Sequence, residues 1–314
     1  MKVALIGFGN VGKAFARLLE SQRSRYPFRI AGIHTLNHGT AYKAMEFGPR
    51  AASIEEFLDG TKPEVAIEIT SLEPATGEPA ISHIRAAFAR GLHVITANKG
   101  PIAHAYRSLQ AEASARQLMF RYESTVMDGA PVFNMVRNGL PGVKITGFSG
   151  ALNSTTKIVI EELKKGRTIE DGIRIAQQMG IAETDASYDI DGWDSAAKTA
   201  ALANVLMDAN VTPQDVDRRG VGQLTPERVA EMTSKGKTPV LVSRARTTAN
   251  GIRLRVRAEV LDHTDLLASV QGTSNILLID TDLMGTIGTV SISPQVEQTA
   301  YGLFSDLVDI AKNL

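Results

Sequence analysis

The chain has 314 residues, 43% of them apolar and 22% charged, with 34 basic residues balanced by 34 acidic ones. That length supports two ordinary cores, and the composition excludes disordered and fibrous classes. Zero net charge leaves no basic excess for a nucleic-acid backbone. The lack of cysteine excludes disulfide frameworks, cysteine nucleophiles and thiolate metal sites.

The N-terminus, Met1-Lys2-Val3, runs straight into a strand, with glycines where the apolar region of a signal peptide would continue. No apolar run approaches the ~20 residues of a membrane helix. A soluble, cytoplasmic protein with no membrane or nucleic-acid partner is expected. Residues 2–6 read as a buried strand of a parallel sheet that ends at Gly7. Val11, Phe15, Leu18 and Leu19 then recur at helical spacing, and strands are expected at 28–33 and 65–70. Between those strands Ser53 and Glu56 read as a capping-box pair ahead of a short helix. Pro79 opens the next helix and Gly91 closes it. Strands at 93–96 and 117–122 complete the alternation, which predicts a doubly wound α/β sheet with right-handed crossovers.

The pattern changes after about residue 130. A strand is expected at 143–150 and a helix at 155–164. Thr168 and Asp171 cap another helix that runs to Gly180, and a long helix begins near Gly192 and reaches about Met207. Residues 208–222 read as a long surface loop. Strands follow at 240–246, 252–260, 275–279 and 286–291. A final amphipathic helix from Val296 puts Ala300, Leu303, Phe304, Leu307 and Ile310 on one face. The expected architecture is α/β. An N-terminal Rossmann-like doubly wound parallel sheet takes residues 1–130 with 296–314. A second, α+β domain with a mixed or antiparallel sheet takes 131–295.

Gly7-Phe8-Gly9-Asn10-Val11-Gly12 is G-x-G-x-x-G placed directly after the first strand and opening the first helix. In that context the pattern is a dinucleotide fingerprint. Gly7 permits the tight turn, Gly9 lets the backbone approach a pyrophosphate, and Gly12 permits close helix–strand packing. The phosphates would meet unpaired N–H groups at the positive end of the helix. An NAD-specific site commonly ends its second strand in an acid that binds the ribose diol. Here the segment is Ile33-His34-Thr35-Leu36-Asn37-His38, with no acid and no arginine nearby in sequence. His34, Thr35 or His38 could donate to a 2′-phosphate, so NADP is favoured over NAD. Thr70, Ser71, Asn98 and Lys99, at the ends of the third and fourth strands, join the candidate cofactor contacts.

The densest polar cluster runs from Glu183 through Asp185, Asp189, Asp191 and Asp194 to Lys198. Asp194 and Lys198 are four apart and share a helix face. Alone, such a pair is an ordinary exposed ion pair of about 0.3–0.5 kcal/mol. Two features argue for more. The helix beyond Lys198 is almost wholly apolar and therefore buried, and four acids precede Asp194 within a dozen residues, which invites a cation or an ammonium group.

This stretch resembles the homoserine dehydrogenase signature, in which Glu, two Asp and Lys recur at this spacing. Thr96-Ala97-Asn98-Lys99-Gly100-Pro101 is similar to the T-A-N-K motif of that family. The segment from Glu123 to Pro131 is similar to the loop leading to its domain crossover, and Gly150-Ala151-Leu152-Asn153-Ser154-Thr155-Thr156 resembles its G-x-x-N-G/S-T stretch. The resemblance covers residues 1 to about 208 in order. It implies interconversion of L-homoserine and L-aspartate 4-semialdehyde, on the route to threonine and methionine, with hydride passing to or from a nicotinamide. Lys99 and Lys198 would do the proton work, and Asp194 would orient Lys198. Glu183 and Asp189 would hold the substrate ammonium, and Ser154 and Thr155 its polar backbone atoms. A sodium ion would sit on Glu123, Val126, Asp128 and Ala130, mostly on carbonyls, and the second domain's sheet would form a homodimer. A lysine can both remove and supply the hydroxyl proton if its surroundings oppose its charge. Converging amines do so and a neighbouring carboxylate does the reverse.

The match has gaps. Lys157 stands where the family commonly has Asn, which adds a cation beside the substrate segment unless the side chain turns outward. The family's G-x-G-A-G-P-x-x-T-A stretch survives only as Thr299-Ala300 and the helix after it. A related amino- or hydroxy-acid substrate, and a non-catalytic dinucleotide sensor, are therefore the competing expectations. The chain ends after the final helix, so no ACT-type regulatory domain or aspartate kinase is expected.

Overall fold

The computed structural model describes residues 1–42 and 45–314. In chain order the strands and helices are β1 (Lys2–Ile6), α1 (Asn10–Ser21), β2 (Arg29–Thr35), β3 (Gly39–Ala41), α2 (Ile54–Thr61), β4 (Val65–Glu68), α3 (Ala80–Ala89), β5 (His93–Thr96), α4 (Lys99–Ala115), β6 (Phe120–Arg121) and α5 (Phe133–Gly139). They continue with β7 (Ile145–Ala151), α6 (Ser154–Lys164), α7 (Ile169–Gln178), α8 (Ser187–Ile190), α9 (Trp193–Met207), β8 (Asp217–Arg218), α10 (Pro226–Ser234), β9 (Lys237–Thr248), β10 (Gly251–Asp262), β11 (Asn275–Thr281), β12 (Thr286–Ser291) and α11 (Val296–Lys312). The chain forms two compact units, residues 1–134 with 295–314 and residues 135–294. Among the described residues no helix is long and apolar enough to cross a membrane.

The first unit is built on a six-stranded sheet in the order β3-β2-β1-β4-β5-β6. All neighbours are parallel except the β2–β3 pair. The order reverses beside β1, between β2 and β4, and ligands of open α/β sheets bind at such a switch point. β1, β4 and β5 are apolar on both faces because helices cover both. The core joins Val3, Leu5, Phe15, Ile33, Ile67 and Ile95 to Leu303, Leu307 and Ile310 of α11, so the C-terminal helix belongs to this unit. The second unit has a mixed sheet, β12-β11-β7-β9-β10-β8. β7, β9, β10, β11 and β12 pair antiparallel, and the short β8 runs parallel to β10.

Several elements differ from the sequence expectation. The segment expected as loop at 208–222 contains a 3-10 turn at Pro213–Asp215 and strand β8. β3, α4, α5 and α10 have no counterpart in the periodicity. α4 begins Lys99-Gly100-Pro101 and carries a kink at Ala105, which breaks the helical repeat. Only half of the expected box at α2 forms. Ser53 accepts from Glu56 N–H, but the Glu56 carboxylate takes the N–H of Ala52 instead. At α7 the Thr168–Asp171 box is complete.

Candidate active site

The fingerprint folds as a tight turn out of β1. Gly7 has φ +101°, and a Cβ there would lie 2.5 Å from the Ile69 carbonyl oxygen. Gly12 packs against Ile69 and Phe8, where a Cβ would come to 3.0 Å and 3.1 Å. At Gly9 a Cβ would meet nothing within 4 Å, so the face that would receive a pyrophosphate is open. Gly9 is also the N-cap of α1 and offers no side-chain cap, which leaves the helix end to a ligand.

These residues line a cleft of about 560 Å³, within the usual range for cofactor pockets. Its walls hold the whole segment 6–12, His34 to His38, Ile69 to Ser71, Pro79 and His83. Of the expected cofactor contacts, Gly7 to Gly12, His34, Thr35, Thr70 and Ser71 are therefore brought together. Asn98 and Lys99 are not among the lining residues. Asn98 is tied to the cleft through a hydrogen bond from its Nδ2 to the Ser71 carbonyl at 3.4 Å, and Lys99 starts α4 just after it.

The ribose end of the cleft carries imidazoles. His34 pairs with Thr40 Oγ1 at 2.9 Å and tilts against Phe57. Burial first, then the Arg50 guanidinium, holds its pKa below the ordinary histidine value. The sequence placed no arginine near this strand; the β2–β3 hairpin, with the Thr40–Gly48 bridge and the bond from Ala51 N–H to Thr40 Oγ1, brings Arg50 back to it. Burial, followed by the charge of His34, likewise lowers His83. Among the described residues His83 Nδ1 is the one buried side-chain nitrogen or oxygen without a hydrogen-bond partner. A cradle open at Gly9 and an orphaned polar atom in its wall both fit a bound dinucleotide.

In the second unit a single hydrogen-bonded network gathers the charged cluster. Asn153 is the N-cap of α6, where its Oδ1 accepts the Thr156 N–H at 2.8 Å. Its Nδ2 donates to Asp189 Oδ1 at 2.6 Å and to Asp194 Oδ2 at 2.9 Å. Thr155 Oγ1 donates to the other Asp189 oxygen at 2.9 Å. Lys198 Nζ lies 2.9 Å from Asp194 Oδ2 and donates to the Leu152 carbonyl at 2.7 Å. Two turns of structure cause this. Gly192, at φ +83°, ends α8 and starts α9, which puts Asp189 on one side of the turn and Asp194 and Lys198 one helical turn apart on the other. Burial, and then the Asp194 carboxylate, pushes the Asp189 pKa up. The Asp194–Lys198 pair is mostly buried, unlike an ordinary surface ion pair.

Not every expected residue joins. Glu183 stands exposed on the loop before α8, and among the described residues no hydrogen bond or ion pair joins its carboxylate to Asp189. Ser154 Oγ donates to the Thr273 carbonyl at 3.4 Å. Lys157 does not turn outward. Its side chain is buried, and Nζ donates to Asn275 Oδ1 at 3.0 Å and to the Ala151 carbonyl at 3.4 Å. The Glu123 carboxylate accepts the N–H groups of Val132, Phe133 and Asn134 at 2.6–2.8 Å, so it caps the start of α5. Among the described residues no cluster of three acidic or histidine side chains could hold a metal. Asn153, which joins Asp189 and Asp194, is not among the candidates read from sequence, although its place before a helix and inside the Gly150–Thr156 stretch is a usable signal.

Both halves of the chain match known families. One family model, described as homoserine dehydrogenase, matches residues 131–308, and another, described as its NAD binding domain, matches residues 7–123. The chain belongs to the homoserine dehydrogenase family. It is 31% identical to the homoserine dehydrogenase of Methanocaldococcus jannaschii over 99% of this chain and 98% of that one. It is also 31% identical to an NAD(+)-dependent homoserine dehydrogenase of Pseudomonas canavaninivorans, over 98% and 96%. The crystal structure of homoserine dehydrogenase from Thermoplasma acidophilum superposes with a TM-score of 0.87 at 26% identity, covering 99% of each chain. The protein is thus an NAD(P)-dependent oxidoreductase that acts on the alcohol of homoserine in amino-acid biosynthesis. That activity leaves the sensor reading and the related-substrate reading without support.

Proposed function

We propose that Lys198 is the principal acid–base group for the interconversion of L-homoserine and L-aspartate 4-semialdehyde, with Asp194 orienting it and Lys99 as a second amine. The observation that carries this reading is the Lys198–Asp194–Asn153–Asp189 network. Lys198 Nζ pairs with the Asp194 carboxylate and donates to the Leu152 carbonyl, which holds the amine in one place rather than leaving it a mobile surface group. Two carboxylates and one ammonium make the network net negative. Asp189, with its carboxyl pushed up beside Asp194, gains a partner when a substrate ammonium binds. Thr155 orients Asp189, and Ser154 adds a hydroxyl at the same helix end. Glu183, exposed on the loop before α8, would join Asp189 in holding the substrate ammonium.

The bound nicotinamide dinucleotide supplies the hydride acceptor or donor. The backbone of Gly7 to Gly12 would hold its pyrophosphate, and Thr70 and Ser71 the part of the molecule beyond it. NADP is favoured over NAD because the segment after β2 has no acid, whereas His34, His83 and Arg50 gather there. A sodium ion on the 123–130 loop would be held by main-chain carbonyls of Glu123, Val126, Asp128 and Ala130, since the Glu123 side chain is spent on α5. The enzyme works as a cytoplasmic homodimer through the sheet of the second unit, where Val260, Val290 and Ile292 are exposed.

A 340 nm assay with homoserine and each cofactor tests the reading. Turnover with homoserine, with a lower KM for NADP than for NAD, is expected. Turnover with NAD alone would overturn the cofactor preference, and turnover unaffected by loss of the Lys198 amine would overturn the proton assignment.

A further inference from the structure

β4 reads Val65-Ala66-Ile67-Glu68, an apolar strand that ends in an acid. Glu68 is 1% exposed, more completely buried than Asp194 or Asn153 of the Lys198 network. Among the described residues no cation neutralises it. Its partners are hydrogen-bond donors from the loop after β4, at Thr70, and from the end of β5, at Thr96. One oxygen accepts from Thr70 N–H at 2.9 Å and from the Thr70 hydroxyl; the other accepts from the Thr96 hydroxyl at 2.7 Å. Burial pushes its carboxyl pKa up against these donors.

The Thr96 oxygen also accepts the Asn98 N–H at 2.9 Å. Asn98 in turn donates to the Ser71 carbonyl at 3.4 Å and caps Gly100 N–H at 3.0 Å. The bonds therefore close a ring: Glu68, Thr70, Ser71, Asn98, Thr96 and back to Glu68. Glu68 and Thr96 are also register partners on the neighbouring parallel strands β4 and β5. One arm of the ring is a wall of the dinucleotide cleft, at Thr70 and Ser71. The other arm is the N-cap of the helix whose first residue is Lys99. An apolar residue would serve packing better at this position, because a buried carboxylate costs desolvation that only its hydrogen bonds offset.

We propose that Glu68 is a positioning residue that sets the cleft wall at Thr70–Ser71 and the starting point of Lys99 with one buried carboxylate. The proposal rests in part on the role given above to Lys99. Dinucleotide affinity and turnover therefore report its two arms separately.

The test uses the full-length protein and the variants Glu68→Leu, Thr96→Val and Lys99→Ala, with NADP affinity by calorimetry, kcat with homoserine, and melting temperature. Glu68→Leu should remain folded, with a Tm near or above that of the parent, yet bind NADP about tenfold more weakly and lose about tenfold or more in kcat. Thr96→Val, nearly the same shape, breaks the ring at its other corner and should repeat the effect on kcat, so it decides the matter if Glu68→Leu fails to fold. Parental NADP affinity and kcat in a folded variant would overturn the proposal, as would losses that merely track a fall in Tm. If Lys99→Ala is fully active, the Lys99 assignment fails by itself, and NADP affinity alone then judges Glu68.

Discussion

At Asp189 the proposed hold on a substrate ammonium comes at a cost in stability. The Asp189 carboxyl is raised first by burial and then by the negative charge of Asp194. A carboxyl raised in the native state binds its proton more tightly there than in the unfolded chain. It therefore costs nothing below the ordinary carboxylate range and costs progressively more stability as pH climbs through and above that range. Asp189→Asn can keep both hydrogen bonds, with its oxygen toward Asn153 and its amide toward Thr155. Thermal melts should show no advantage for this variant near pH 3 and a higher Tm than the parent at pH 8, while KM for homoserine rises about tenfold or more. A lower Tm at pH 8 would show that the charge is already compensated. Lys157 is a separate case. Lys157→Met strands Asn275 Oδ1 and the Ala151 carbonyl in the interior, and chemical denaturation should report a loss of about 1–3 kcal/mol.

The N-terminus of α6 does two jobs with one residue. Asn153 caps the helix and separates two carboxylates. Asn153→Ala should cost about 1 kcal/mol for the cap and more for the unbridged Asp189–Asp194 pair, with kcat falling alongside; Asn153→Ser should recover the cap but not the kcat. Equal kcat in both variants and the parent would confine Asn153 to capping. At this scale much was legible. The glycine fingerprint and the Thr168–Asp171 box needed only local chemistry, and Asp194–Lys198 needed only helical periodicity. What sequence could not supply was the meeting of distant segments. The hairpin that returns Arg50 to His34, the Asn275 partner that keeps Lys157 inside, and the three amides that claim the Glu123 carboxylate all depend on tertiary contacts. α4 escaped notice because Gly100 and Pro101 obscure its start and Ala105 breaks its phase.

At the scale of the whole chain, two units divide the labour. The first holds the dinucleotide cleft and Lys99, and the second holds Lys198 with its acidic partners. Val260 on β10, and Leu283, Met284, Val290 and Ile292 on and beside β12, are exposed apolar residues of the second unit. Sedimentation should give twice the chain mass, and Val290→Lys should shift the equilibrium toward monomer; a monomer at micromolar concentration would remove the dimer from the account. The central claim is that the Lys198 amine moves the hydroxyl proton. Its most direct test is kcat for homoserine oxidation by Lys198→Ala, measured with NADP affinity as the control. The account predicts a fall of about 10²–10⁴-fold in kcat with NADP affinity unchanged; turnover equal to that of the parent would contradict it.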